Sequence, residues 1–125
     1  MIELFNIPNH IIDTSKFSHF LHGKIVADFE NEIANYVGAK YACGLSSATN
    51  AIFLSMLNKN TTVNIPSLIP PVVLNAIITS GNKISFTDNV EWVGNSYQLH
   101  SFSDYKIIDS AQKLKRGRNC RINFI

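Results

Sequence analysis

Apolar residues recur at helical spacing in the first third of the chain. Four of them advance by three or four positions each, with polar residues mostly between them: Ile25, Phe29, Ile33 and Tyr36. Gly38 then stands where a helix commonly ends in a left-handed C-cap. The pattern predicts an amphipathic helix over residues 25–37.

Short apolar runs alternate with helical segments through the rest of the chain. Strands are predicted at 41–45, 62–65, 83–86 and 106–109, and helices at 50–57 and from Pro70-Pro71 to Ile77. Residues 92–100 fit either a short hairpin or an irregular crossing. The helix at 50–57 is apolar nearly all round, which predicts burial against a sheet. The alternation favours an α/β fold with parallel strand pairs.

Length and composition set limits on the class of protein. The 125 residues suit a single domain (1–125), in which 1–23 form an irregular N-terminal segment. The 46% of apolar and 16% of charged residues are typical of a globular chain. No apolar run approaches the roughly 20 residues of a membrane span, and signal-peptide features are missing. We therefore expect a cytoplasmic protein with no membrane partner.

Cysteines, histidines and basic residues suggest no separate chemistry. Cys43 and Cys120 are far apart and outside any CxxC pair, and the histidines lack metal-ligand spacing, so we expect no metal site. Cys43 is predicted to be a small buried hydrophobe. Basic residues cluster near the end, at Lys113, Lys115, Arg116, Arg118 and Arg121. They could contact nucleic acid, but no aromatic interleaving accompanies them, and we favour a solvated loop.

Two polar clusters follow predicted strands, at residues 46–49 and 109–112. In parallel sheets, ligands bind beyond the carboxyl ends of the strands. Residues 46–49 open a helix, so unpaired backbone N–H groups and the helix dipole could hold a phosphate there. A simple helix cap is the alternative.

Asp109 ends an apolar strand, where a carboxylate needs a hydrogen-bond donor. A pyridinium nitrogen would serve, and the ion pair would keep such a ring protonated. The alternative is that Asp109 caps the turn that follows it. The GxGxxG, P-loop and GxSxG motifs are missing. The sequence therefore gives no support for a dinucleotide-binding fold, a P-loop nucleotide site or a hydrolase nucleophile.

Five segments in order resemble the DegT/StrS-type aminotransferases, enzymes that aminate nucleotide-linked keto-sugars. Ser46-Ser47-Ala48-Thr49-Asn50-Ala51-Ile52 resembles the family's Ser-Ser-Gly-Thr-Ala-Ala-Leu phosphate turn, and Asp109-Ser110-Ala111-Gln112 resembles its Asp-Ala-Ala-Gln motif. The other three segments are 29–42, 65–81 and 86–88.

The resemblance implies the N-terminal part of a pyridoxal-phosphate fold-type-I large domain, a partial three-layer α/β/α structure with a mostly parallel sheet. Ser47, Ala48 and Thr49 would meet the cofactor phosphate, Asp109 the pyridine nitrogen, and Gln112 the oxygen side of the ring. It also implies a homodimer with active sites at the subunit interface. The substrate would be a nucleotide-linked keto-sugar of amino-sugar or cell-surface polysaccharide biosynthesis.

Three departures from the family pattern concern the site itself. Ala48 replaces a glycine, which is tolerable at negative φ. Pro70 aligns with the aromatic residue that stacks on the ring, so stacking would be weakened or supplied from elsewhere. The stretch between Asp88 and Asp109 is much shorter than usual.

The fourth departure concerns the lysine that carries the cofactor. In this family it follows the Asp-x-x-Gln motif, and residues 122–125 resemble the strand that leads to it, whereas Lys113 and Lys115 lie too close to Gln112. We expect no covalent attachment, no catalytic residue, and a chain that is inactive alone. The alternative is a non-catalytic remnant that binds a phosphorylated ligand or a full-length relative.

Overall fold

The computed structural model describes residues 13–16, 23–114 and 116, together with the backbone of 122–124. Most of the predicted irregular N-terminal segment lies outside the described residues, as does Cys120. So do three residues of the basic cluster, namely Lys115, Arg118 and Arg121.

Among the described residues, three α-helices follow a short 3₁₀ turn at Thr14–Lys16. They are α1 (Lys24–Val37), α2 (Ala48–Met56) and α3 (Pro71–Thr79). The C-cap of α1 is confirmed, because Gly38 has a φ of 74° and its N–H bonds to the Ala34 carbonyl. In the part of the chain that the structure describes, no helix has both the length and the apolarity to cross a membrane.

In the described ranges, five strands form two small sheets. They are β1 (Thr62–Pro66), β2 (Lys83–Thr87), β3 (Tyr97–Ser101), β4 (Lys106–Asp109) and β5 (Ile122–Phe124). The pairs β1–β2 and β4–β5 are parallel, and β3–β4 is antiparallel with an irregularity between Gln98 and His100. The predicted α/β class is confirmed. The ambiguous stretch 92–100 contains a turn and then β3, which returns alongside β4.

One buried apolar cluster joins α2, α3 and strands of both sheets. Its largest fully buried members are Ile52, Met56, Val63, Ile65, Ile77, Leu99 and Ile107. The predicted burial of the second helix holds for one face, since Ile52 and Met56 share this cluster with residues of the strands, whereas Leu54 is 53% exposed. The first residues of α2, Ala48 and Thr49, lie near Asp109 at the end of β4.

The predicted strand at 41–45 is wrong. These residues are irregular, and among the described residues no strand lies beside them to pair with their backbone. Gly44 instead donates its N–H to Glu30 Oε1 of α1 at 2.7 Å. Cys43 is exposed, so its predicted burial is also wrong. A β-like run forms a strand only where a neighbour completes its hydrogen bonds.

The apolar stripe of α1 lies largely on the surface. Phe29 is 57% exposed and Tyr36 is 49% exposed, whereas the residues that α1 buries are Ala34 and Val37. The outer strand β2 has β1 as its single partner among the described residues, and its Phe86 is 58% exposed.

Asn82 fixes the entrance to β2 through a buried amide network. Its Oδ1 accepts the N–H of Thr61 at 3.1 Å, and its Nδ2 donates to the Met56 carbonyl at 2.6 Å and to Ser80 Oγ at 2.9 Å. The network ties the end of α2 to the starts of β1 and β2. Core packing and this amide together fix where α2 sits.

We predict that Asn82→Ala lowers the free energy of unfolding by about 2–3 kcal/mol, because backbone groups of Met56 and Thr61 lose their partner. Urea unfolding followed by circular dichroism measures this. The control is Asn75→Ala on the exposed face of α3, which should change stability by less than about 0.5 kcal/mol. Equal effects of the two substitutions would contradict a structural role for the Asn82 network.

Candidate functional site

The N-terminus of α2 and the carboxyl end of β4 open on one cavity of about 150 Å³. Four of the five predicted site residues line it, and Ser47 does not: the four are Ala48, Thr49, Asp109 and Gln112. Trp92, Asn95 and Tyr97 add aromatic and polar surface to its lining, and Ile52, Pro70 and Val73 are among its apolar residues. The two polar clusters that are 60 residues apart in sequence therefore meet in space.

At the α2 end, Ser47 acts as the helix cap. Its Oγ accepts the N–H of Asn50 at 3.2 Å, and Ser46 Oγ accepts a hydrogen bond from Asn50 Nδ2 at 2.7 Å. The capping alternative therefore holds for Ser47. Within the described residues the N–H groups of Ala48 and Thr49 have no acceptor, which leaves donors at the positive end of the helix.

The alanine at position 48 fits its backbone. Among the described residues other than glycine, positive φ occurs at Asn58 and Asn60, and Ala48 is the first residue of α2. This position therefore has no need of the conformational freedom of a glycine.

At the β4 end, Asp109 is 8% exposed and lines the cavity. Its Oδ1 accepts the N–H of Ala111 at 2.9 Å, so the turn-capping alternative applies to this oxygen. The one ion pair between described residues, Lys24 with Asp28, lies on α1. The Asp109 carboxylate thus has no cationic partner in the described part of the chain, and it can still accept a hydrogen bond from a ligand.

Tyr97 stands beside this carboxylate. Burial, and then the negative charge of Asp109, raise the pKa of the Tyr97 phenol far above its usual value. The phenol is therefore neutral at any physiological pH and keeps its proton. Its oxygen is buried close to Asp109, and the approach of the phenol to that carboxylate adds to the rise in pKa. The contact nevertheless falls short of good hydrogen-bond geometry.

The turn at 91–95 contributes Trp92 and Asn95 to the lining of the cavity. Hydrogen bonds connect this turn to the segment after β4. Gln112 Oε1 accepts the N–H of Gly94, and Ser96 Oγ donates to the Lys113 carbonyl at 2.7 Å. Lys113 Nζ donates to Asn95 Oδ1 at 3.3 Å on the exposed side, and Lys113 does not line the cavity. The amide oxygen of Gln112 is thus occupied, which leaves its NH₂ group as a donor.

Sequence reasoning missed Trp92, Asn95 and Tyr97. The pair Gly94-Asn95 was an available turn signal, and a chain reversal there would place the aromatic residues on either side of it near the end of β4. Trp92 and Tyr97 supply aromatic surface to a cavity in which Pro70 occupies the position of the expected stacking residue.

The cavity has the size of a single ring. An apolar cavity of about 150 Å³ holds a benzene-sized molecule, whereas complete ligand pockets occupy about 300–1,000 Å³. In the described residues, no three His, Cys, Asp or Glu side chains are grouped so that they could hold a metal ion. The polar groups present are suited to an aromatic ring that carries an anionic substituent.

Comparison with known proteins gives a family and two curated relatives. The sequence model of the DegT/DnrJ/EryC1/StrS aminotransferase family matches residues 6–99. A Campylobacter jejuni protein of serotype O:23/36, named UDP-4-amino-4,6-dideoxy-N-acetyl-beta-L-altrosamine transaminase, is 36% identical over 69 residues. The protein of the same name from serotype O:2 is 35% identical over 69 residues.

The matches to the two relatives cover a larger share of this chain than of the relatives. Each covers 53% of this chain but 18% of the relative, so the chain spans less than a fifth of the length of the curated relatives. No solved structure matches the chain significantly.

We predict that Ser47→Ala lowers the free energy of unfolding by about 1 kcal/mol, because the capping oxygen of α2 is lost. The matched variant Ser47→Gly should cost only a few tenths of a kcal/mol, since glycine is a fair N-cap. Chemical unfolding of both variants measures the difference. Equal stability of Ser47→Ala and the unmodified chain would exclude the capping role.

Proposed function

This chain belongs to the DegT/DnrJ/EryC1/StrS aminotransferase family, and we propose that it forms the cofactor-binding part of a pyridoxal-phosphate-dependent aminotransferase that acts on nucleotide-linked keto-sugars. The observation that carries the proposal is the cavity shared by the α2 N-terminus and the Asp109 carboxylate. The printed names of the relatives, which are sugar transaminases, support the substrate class.

On this proposal the α2 end holds the cofactor phosphate. Ala48 and Thr49 have N–H groups without acceptors, and the helix dipole favours negative charge at that end. The Thr49 hydroxyl, which belongs to a lining residue, adds a donor. Ser47 contributes indirectly, because its oxygen keeps the first turn of the helix in place.

The β4 end holds the pyridine nitrogen. The Asp109 carboxylate is buried without a cationic partner among the described residues, and a protonated ring nitrogen would supply one. When bound, the cofactor supplies an electron sink for the carbanion that transamination requires. Asp109 would keep the ring nitrogen protonated, and the NH₂ group of Gln112 would donate toward the ring's oxygen side.

The reaction itself needs groups beyond those that line the cavity. None of the lysines in the described ranges lines it, so neither a covalent link to the cofactor nor a lysine base is available from them. We propose that this chain alone holds the cofactor non-covalently and is inactive in transamination.

We also propose that the chain self-associates, as the homodimer implied by its family. The exposed apolar stripe of α1, with Phe29 and Tyr36 about half exposed, supports this. The same stripe is the observation that favours the second candidate function, a non-catalytic module that binds a full-length relative. Sedimentation at increasing concentration, with and without such a relative, separates self-association from binding of the relative.

The proposed function predicts that Asp109→Asn weakens binding of pyridoxamine 5′-phosphate about 10- to 100-fold, the range expected for loss of a charge-assisted hydrogen bond. This probe has the ring and phosphate but no aldehyde that would react with surface lysines. Calorimetric titration of the full chain measures the dissociation constant. The control Asp88→Asn, at an exposed carboxylate outside the cavity, should bind like the unmodified chain.

A second arm of the same titration tests the phosphate end. Thr49→Val should weaken pyridoxamine 5′-phosphate several-fold and leave pyridoxamine, which lacks the phosphate, unchanged. Binding that is the same for Asp109→Asn, Thr49→Val and the unmodified chain would show that the ligand lies outside this cavity.

Covalent attachment is tested with pyridoxal 5′-phosphate and borohydride, which traps any carbonyl adduct on a lysine. We expect no single lysine to be labelled stoichiometrically, because the described lysines lie outside the cavity. Peptide mass spectrometry identifies the labelled sites. Stoichiometric labelling of one lysine, suppressed by Asp109→Asn, would contradict the proposed non-covalent binding.

A further inference from the structure

Buried polar atoms without hydrogen-bond partners are concentrated at the cavity. In the described part of the chain there are three such side-chain atoms: Trp92 Nε1, Tyr97 Oη and Ser110 Oγ. Trp92 and Tyr97 line the cavity, and Ser110 lies between two residues that line it. Buried polar groups are nearly always paired, so this clustering indicates that a bound molecule supplies the missing partners.

Trp92 combines an unpartnered donor with aromatic surface at the cavity. It is 8% exposed, and its ring packs against that of Tyr97 with centroids 5.6 Å apart and planes inclined at 57°. Its indole nitrogen carries a hydrogen that can only be donated. An acceptor atom, such as an oxygen, is therefore the chemical partner that this nitrogen lacks.

The backbone holds Trp92 in this position. Its carbonyl accepts the N–H of Asn95 at 2.9 Å, and Gly94, the third residue of that turn, has the positive φ that a type II turn requires. The bond from Gly94 N to Gln112 Oε1 anchors the turn to the segment after Asp109. The indole is thus fixed relative to the carboxylate.

We propose that Trp92 is a ligand-recognition residue of this cavity, which donates its indole N–H to an oxygen of the bound phosphopyridine and forms the aromatic wall beside its ring. The inference deepens the proposed function and rests on it. It assigns recognition of the ligand ring to Trp92 in the turn at 91–95. Neither the family match nor the names of the relatives give a role to this residue.

The test uses the fact that Trp92 is the single tryptophan of the chain. Pyridoxamine 5′-phosphate added to the full 125-residue chain should quench tryptophan fluorescence saturably, with the same half-saturation as in calorimetry. N-acetyltryptophanamide at equal absorbance corrects for light absorbed by the probe. Unchanged fluorescence despite calorimetric binding would overturn the proposal without any substitution.

Variants then separate the indole N–H from the aromatic surface. Trp92→Phe keeps an aromatic ring, and we expect it to bind pyridoxamine 5′-phosphate about tenfold more weakly. Tyr97→Phe removes a hydroxyl from a residue that lines the cavity, and Tyr105→Phe removes one from a residue that does not. Tyr105→Phe is the control and should bind the probe normally. Circular dichroism of each variant verifies its fold.

The outcomes distinguish this inference from the proposed function. Loss of affinity in Trp92→Phe and in Asp109→Asn supports both. Loss in Asp109→Asn with normal affinity in Trp92→Phe overturns the role of Trp92 alone. If the unmodified chain does not bind the probe, the proposed function fails and the inference fails with it.

Discussion

The apolar contact between α2 and the strands is the interaction on which the rest of the structure depends. Ile52 and Met56 of α2 share one buried cluster with Val63 of β1 and Ile107 of β4. This packing brings the start of a helix and the end of a strand to the same place, although 60 residues separate them in sequence. Burial of apolar surface thus determines the position of the polar groups.

The polar groups around the cavity then divide into those that maintain the structure and those that remain free. Ser47 and one oxygen of Asp109 each satisfy a neighbouring backbone N–H, and the Gln112 oxygen holds the turn at Gly94. The remaining donors and acceptors face a space of ring size. The capping and binding interpretations of these motifs are therefore compatible, since a fixed frame is what keeps binding groups in place.

The sequence allowed prediction of features that depend on local or regular patterns. Helical periodicity and the Gly38 cap located α1. Thr49 and Asp109 meet at one cavity as predicted. The expected place at the end of a parallel strand holds for Asp109, which ends β4, but not for residues 46–49, which follow no strand in the described part of the chain. The strand at 41–45 failed because strand formation depends on a partner elsewhere in the chain. Trp92 and Tyr97 were missed because the turn signal at Gly94-Asn95 does not reveal the partner of the strand that follows, and it is the antiparallel pairing of β3 with β4 that places Tyr97 opposite Asp109.

The outer strand β2 has a consequence for how this chain behaves among its neighbours. One of its sides carries backbone N–H and C=O groups that no described strand pairs, next to the half-exposed ring of Phe86. Where such an edge stays unpaired, it is a template for an additional strand. Sheets could then continue from one molecule into the next, and a charged side chain at position 86, which does not line the cavity, would oppose that growth.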